Sequence, residues 1–159
     1  MYRLRSCQKP DLAALYQLDQ ICFPQDIAYS RAELHYFLIH PRCSCWIAER
    51  SIAEQPGNTL AGFVIIERAS RNGRPAGHVV TLDVDPGERR NGLGSLLMQT
   101  AEKQVKHEGA EVLSLEVAEN NAAAQQFYRR LGFVTRGTIA KYYGGKVDAE
   151  VMEKVIAPV

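Results

Sequence analysis

The chain has 159 residues, 46% of them hydrophobic and 23% charged, a composition suited to one domain with a buried core. Its 19 Lys and Arg stand against 18 Asp and Glu, a formal net charge of +1, which excludes a global field that would draw nucleic acid or an anionic membrane as the main partner. No apolar run reaches membrane-spanning length, and the N-terminal MYRLRSCQKPD lacks the apolar stretch of a signal peptide; a single cytoplasmic domain over residues 1–159 is expected.

Tyr2 to Ser6 reads as a short strand. Pro10 and Asp11 suit the first turn of a helix whose apolar positions Leu12, Leu15, Leu18 and Ile21 or Cys22 recur with the 3.6-residue period, and Phe23-Pro24 stops it. The loop CFPQDIAY follows. Ser30-Arg31-Ala32-Glu33 is a capping box that opens a second short helix through Leu34, Phe37 and Leu38 before Pro41. Cys43 to Glu49 and Thr59 to Arg68 read as antiparallel strands joined through Pro56-Gly57-Asn58, and Asn72-Gly73 turns the chain into a third strand from Gly77 to Val84. Of the cysteines Cys7, Cys22, Cys43 and Cys45 only the last two are close, and neither His35 nor His40 completes a zinc spacing. Reduced, partly buried thiols and no metal site are expected, and the four histidines of the chain fall in no ligand pattern.

Residues 89 to 94 read RRNGLG; they follow the extended run VVTLDVDP and open the apolar-periodic LGSLLMQTAEKQV. A helix leaves its first N–H groups unpaired and carries partial positive charge at that end, so a glycine turn leading into one is a natural site for a phosphate-bearing cofactor. Gly92 and Gly94 remove side chains from the path of the ligand, Arg89 and Arg90 add charge, and Asn91, Leu93 and Ser95 complete the candidate contacts. A P-loop would place Lys and Ser/Thr where Ser95 and Leu96 stand, and a dinucleotide fingerprint would place Gly or Ala where Leu97 stands. The helix carries Leu93, Leu96, Leu97, Ala101 and Val105 on one stripe and ends near Gly109. Glu111 to Val117 forms the next strand, Asn120 or Asn121 caps a helix that Gly132 terminates, and Phe133 to Ala140 pairs with Val147 to Ile156 through Gly144-Gly145.

The spacing RxxGxG from Arg89 to Gly94, after a strand ending Asp85-Pro86, resembles the acyl-CoA turn of the GNAT superfamily of N-acetyltransferases. LSLEVAENNAAAQQFYRRLGF, residues 113–133, is similar to the following strand and helix of that family, and the likeness spans about residues 79 to 153. It implies a mixed α/β fold: a mainly antiparallel sheet of six to seven strands flanked by about four helices, with a splayed central strand pair between which the arm of acetyl-CoA lies. It also implies an acyltransferase that moves an acetyl group from acetyl-CoA to a primary amine, working as a monomer or homodimer. The best-matched acceptor is a protein or peptide N-terminus, as in the ribosomal-protein N-terminal alanine acetyltransferases. A small-molecule amine is the alternative within that chemistry, and a non-catalytic acyl-CoA-binding module the alternative outside it.

Strand alternation sets Leu113, Leu115 and Val117 on one face and Ser114 and Glu116 on the other. Glu116 is either a solvent-facing strand residue or, as the resemblance implies, the base that takes the proton of the amine. Tyr128 is either a core aromatic or the acid that protonates the departing thiolate and touches the cofactor. Asn121 is either a helix cap or a contact to the cofactor arm. Backbone N–H groups of Leu82, Asp83 and Val84 are implied to polarise the acetyl carbonyl; the Asp83 carboxyl, in place of a small residue, faces either the acceptor cleft or solvent. Phe23 and Pro24 match the substrate loop of the family although Gln25 and Asp26 depart from its continuation, and Tyr142 and Tyr143 are either structural edge tyrosines or contacts to the acceptor.

Overall fold

The computed structural model describes residues 1–51, 53 and 57–156. In chain order it forms β1 (Tyr2–Ser6), a 3-10 turn (Lys9–Asp11), α1 (Leu12–Cys22), α2 (Arg31–Ile39), β2 (Cys43–Ser51), β3 (Asn58–Arg71) and β4 (Arg74–Val84). A second 3-10 turn (Pro86–Glu88), α3 (Leu93–His107), β5 (Val112–Ala118), α4 (Ala122–Arg130), β6 (Val134–Tyr143) and β7 (Val147–Val155) follow. The strands make one seven-stranded sheet in the order β1-β2-β3-β4-β5-β7-β6. Every neighbouring pair is antiparallel except β4 and β5.

Local chemistry explains most of these elements. Ser30 accepts from the Glu33 N–H while Glu33 accepts from the Ser30 N–H, the reciprocal capping that starts α2. Asn72 and Gly73 both take positive φ, 52° and 76°, and so join β3 to β4 in a two-residue hairpin. Those strands run further toward their turn than expected, because the hairpin keeps pairing as far as Arg71 and Arg74. Pro56, in the expected turn between β2 and β3, lies outside the described residues.

Alternation along the strands divides the core in two. One face packs Val64, Ile66, Val79, Leu113, Leu115 and Val117 against Leu93, Leu97, Met98, Ala101 and Val105 of α3. The other packs Ile47, Phe63 and Ile65 against Leu15, Leu18 and Leu34 of α1 and α2. Each such buried side chain contributes about 1.5–3 kcal/mol. One expected core position moves: Leu96 is 36% exposed and Met98 takes its place, since the buried stripe tilts toward positions 94 and 98. At the end of α1, Ile21 is 63% exposed and half-buried Cys22 faces inward instead. A bulge at Val80 in β4 interrupts the alternation, turning Val79 to α3 and Thr81 to the side of α1 and α2.

Candidate active site

The turn between β4 and α3 is built to leave backbone N–H groups pointing outward. Asp85 accepts from the Gly87 N–H at 2.8 Å, and Glu88 is anchored from β1 and β2 by Tyr2 Oη at 2.5 Å and Arg50 Nη1 at 2.7 Å. Arg90 and Gly92 both take positive φ, 65° and 79°, and the helix begins immediately afterwards. Among the described residues the Leu93, Gly94 and Ser95 N–H groups donate to no backbone carbonyl, and the first such bond of α3 is Leu96 N–H to Gly92 O. Unpaired donors at the positive end of a 15-residue helix suit a diphosphate. The glycines serve different ends. Gly92 has open space beside it and is required by its left-handed backbone, whereas a Cβ on Gly94 would lie 3.1 Å from the Phe127 ring. Gly94 therefore clears room for α4 rather than for ligand. Arg89 is likewise tied back, its Nε donating to the Val84 carbonyl at 3.2 Å.

Beside this turn the sheet opens. β4 and β5 pair only at Ala76 with Val112, Gly77 with Leu113 and His78 with Ser114. Beyond that point β4 continues to Val84 and β5 to Ala118 with no contact in register between them, while β5 stays paired to β7 along its full length. Side chains from the end of α1 and the α1–α2 loop fasten the free edge of β4: Tyr29 Oη donates to the Val80 carbonyl at 3.2 Å and Cys22 Sγ to that of Val84 at 3.4 Å. Burial pushes the Cys22 thiol up to about 11, so it stays a neutral donor.

Asp83 corrects the reading that its carboxyl faces the cleft or solvent. It is fully buried, accepts from Thr81 Oγ1 at 2.7 Å and lies against the equally buried Asp19, which accepts from the Tyr29 N–H at 2.7 Å. Asp19 Oδ1 and Asp83 Oδ2 have no donor among the described residues, and one proton shared between the carboxyls supplies it. Burial, then the charge of Asp19, raises the pKa of Asp83 well above the carboxylate range.

Glu116 sits two residues past the last β4–β5 pair, on the α1 and α2 face, and its Oε2 lies 2.6 Å from His78 Nε2. Strand register lines Cys43, Glu67, His78, Ser114 and Glu153 across five strands on this same face. At one end of the row Cys43, Glu67 and His40 place ligand-type atoms within 4.8 Å of one another; there burial pushes the Cys43 thiol up to about 11, and it donates to Glu67 Oε2 at 3.7 Å.

Three tyrosine hydroxyls, those of Tyr29, Tyr142 and Tyr143, feel the charge of Glu116. Tyr142 and Tyr143 meet edge to face at 4.9 Å, and burial, followed by charge that includes that of Glu116, raises the pKa of both hydroxyls. Tyr29 is raised by burial first and then by those two phenols, Asp19 and Glu116. The rim is closed by the β6–β7 turn against the α1–α2 loop, where a Cβ on Gly144 would lie 2.9 Å from Asp26 Cβ. Phe23 is half-buried and Pro24 exposed at the start of that loop, where the Pro24 carbonyl accepts from the Ile27 and Ala28 N–H groups.

Tyr128, half-buried on α4, packs edge to face on Phe127 at 5.1 Å and Phe133 at 5.7 Å. Burial raises its hydroxyl pKa and the charge of Asp83 adds to this. Asn121 is seen in its capping role, its Oδ1 accepting from the Ala124 N–H at 3.1 Å.

The profile of the Acetyltransferase (GNAT) family matches residues 12–133. The chain belongs to the GNAT family. This GNAT domain is 33% identical over 126 residues, 77% of this chain and 70% of the relative, to the N-terminal acetyltransferase A complex catalytic subunit of Schizosaccharomyces pombe. It is 29% identical over 97% of its length to an N-alpha-acetyltransferase of Caenorhabditis elegans, covering 82% of that protein. The crystal structure of the ribosomal-protein-S18-alanine N-acetyltransferase from Escherichia coli superposes with a TM-score of 0.81 at 26% identity, covering 100% of this chain and 96% of that one. The GNAT domain is therefore an N-acetyltransferase, an enzyme of the acyltransferase class, on a seven-stranded mixed sheet.

Two residues of this GNAT site escape sequence reading, His78 and Tyr29. A signal for His78 is present: it lies in the strand read from Gly77 to Val84, just before the run VVTLDVDP that leads to the glycine turn, so its strand is legible and its cross-strand partner is not. Tyr29 ends the loop CFPQDIAY just before the capping Ser30, a position where an aromatic staples a helix entry and tells nothing of a cleft.

Proposed function

We propose that the enzyme transfers the acetyl group of acetyl-CoA to the α-amine of a protein or peptide N-terminus, with ribosomal-protein alanine ends the best-matched acceptor class. One observation carries this reading: the strand gap has unpaired helix N–H groups at one mouth and, on its other face, a carboxylate framed by tyrosines. The first feature fits the diphosphate of the donor, with Arg90 and Asn91 exposed beside it. The second fits an extended peptide end, framed by Tyr29, Tyr142 and Tyr143 and bounded by Phe23 and Pro24. The names of the relatives, two of them α-amine acetyltransferases, support the same acceptor class.

When bound, acetyl-CoA supplies an activated acyl group; the residues of the chain do the rest. N–H groups of Leu82 and Val84, which the register of β4 on β3 leaves on the open edge of β4, can stabilise charge on the acyl oxygen. Glu116 draws the proton from an acceptor that is mostly ammonium at neutral pH, since an α-amine titrates near about 8. Tyr128, kept protonated by its surroundings, offers a proton to the departing sulfur.

The test is thiol release from acetyl-CoA with a panel of peptides differing at their first two residues, run beside polyamines and free amino acids. Peptides should be preferred, and Glu116→Gln should lower turnover at pH 7 by about 100-fold and recover as the pH approaches that of the free amine. Preference for a polyamine or amino acid would reassign the acceptor.

A further inference from the structure

We infer that Glu116 does not act alone: His78 and Glu116 form one proton-accepting unit in which the imidazole, oriented by the carboxylate, is where the proton of the amine comes to rest. The inference rests on the acetyltransferase reading above and names a base that the sequence did not reveal.

Position is the first argument. His78 is the last β4 residue paired to β5, so the strands part directly beyond it, and its Nε2 contact reaches to Glu116 on the opposite lip of the opening gap. The side chains are 28% and 20% exposed, shielded yet reachable by a substrate. A 2.6 Å contact between a ring nitrogen and a carboxylate is a short, charge-assisted bond. A carboxylate accepting from Nε2–H leaves the lone pair of the neutral ring on Nδ1, so Glu116 would fix the tautomer as well as the ring plane.

Proton affinity is the second argument. A carboxylic acid titrates near about 4.3 and an α-amine near about 8, so moving a proton from ammonium to a carboxylate alone is unfavourable by nearly four powers of ten. Imidazole, near about 6.5, is far better matched. Facing the pair are Glu67 on β3, Ser114 on β5, Glu153 on β7, and the phenols of Tyr29, Tyr142 and Tyr143. Arg71, which reaches this row, is held on Glu153 at 2.6 Å.

The reaction balances with these groups. The ammonium proton passes to Nδ1, the freed nitrogen forms the C–N bond, and the C–S bond breaks with its electron pair on sulfur. Of the three ammonium protons, one remains on the amide. One makes good, through solvent, the proton that Tyr128 gives to sulfur, and one leaves the imidazole to water.

The experiment is the pH dependence of kcat/KM for wild type, His78→Gln and Glu116→Gln with a peptide substrate, together with nitrogen NMR of the imidazoles and acetyl-CoA affinity. Wild type should show an acidic limb in the imidazole range. His78→Gln should lose it, fall about 100-fold at pH 7, bind acetyl-CoA unchanged and approach wild type at high pH. Glu116→Gln should lose rate at pH 7 and regain it at high pH, as His78→Gln does, with the nitrogen resonances of His78 displaced from those of wild type because the carboxylate no longer fixes the ring tautomer. A His78→Gln enzyme with the rate and limb of wild type overturns the base role while leaving the acetyltransferase reading intact. Wild type that binds acetyl-CoA yet turns over no amine overturns both. If His78→Gln does not fold, His78→Asn and the NMR titration of wild type against Glu116→Gln decide the matter, and a His78 resonance indifferent to Glu116 refutes the pair.

Discussion

Asp19 and Asp83 place two carboxyls in one dry site, and their shared proton makes stability depend on pH. An acid whose folded pKa is raised keeps its proton after the unfolded chain has released it. Its contribution is full below about pH 4 and is lost as pH rises through the folded value, which for Asp83 lies well above the carboxylate range. Asp83→Asn keeps an acceptor for Thr81 and offers an amide N–H to Asp19, with no proton to lose. We predict that the variant is more stable than wild type at pH 8 by about 1 kcal/mol, roughly 2–4 °C in Tm, and that the difference shrinks toward pH 4. Equal melting curves at both pH values would show that the pair is not proton-linked. The expectation that Asp83 faced cleft or solvent could not have been improved from the chain alone. Asp19 lies on α1 and Asp83 on β4, and only the packed fold brings them together.

At the level of elements, boundaries set by local chemistry were legible and those set by neighbours were not. The capping box at Ser30 and Glu33, the hairpin at Asn72-Gly73 and the left-handed entry to α3 at Gly92 each depend on a few adjacent residues, and each stands where the residues put it. Gly94 is the counterexample: its lack of a side chain serves Phe127, a residue on another helix. Gly94→Ala should therefore cost about 1–3 kcal/mol of stability by overpacking, read as a lower Tm, where a purely ligand-facing glycine would change acetyl-CoA affinity alone. Gly144 tests the other rim. With φ at 59° and Asp26 2.9 Å from where its Cβ would stand, Gly144→Ala has to push the β6–β7 turn off the α1–α2 loop. The expected result is a KM for peptide raised by about tenfold with acetyl-CoA binding unchanged, and an unaltered peptide KM would remove this contact from the acceptor site.

For the whole molecule, the order of elements followed from periodicity, caps and turn residues, and the family from two ordered motifs, RRNGLG and the segment ending FYRRLGF. The active-site geometry was only half visible. Glu116 could be assigned a face from the alternation LSLEV, but its partner His78 depends on the register of two parallel strands joined by α3. No helix among the described residues is long and apolar enough to cross a membrane.

The central seam has a mechanical consequence. Four strands on one side and three on the other are stitched together along the middle by just three residue pairs, so the two halves of the sheet depend on whatever bridges the remainder. A ligand lying between β4 and β5 would act as a splint. Acetyl-CoA at a hundredfold excess over its Kd should raise stability by about 2.7 kcal/mol, seen as a Tm increase of about 5–10 °C. Slowed amide exchange should then appear on both Val79–Val84 and Leu115–Ala118, and protection confined to one of these borders would mean that the donor grips a single flank and leaves the midline free to flex.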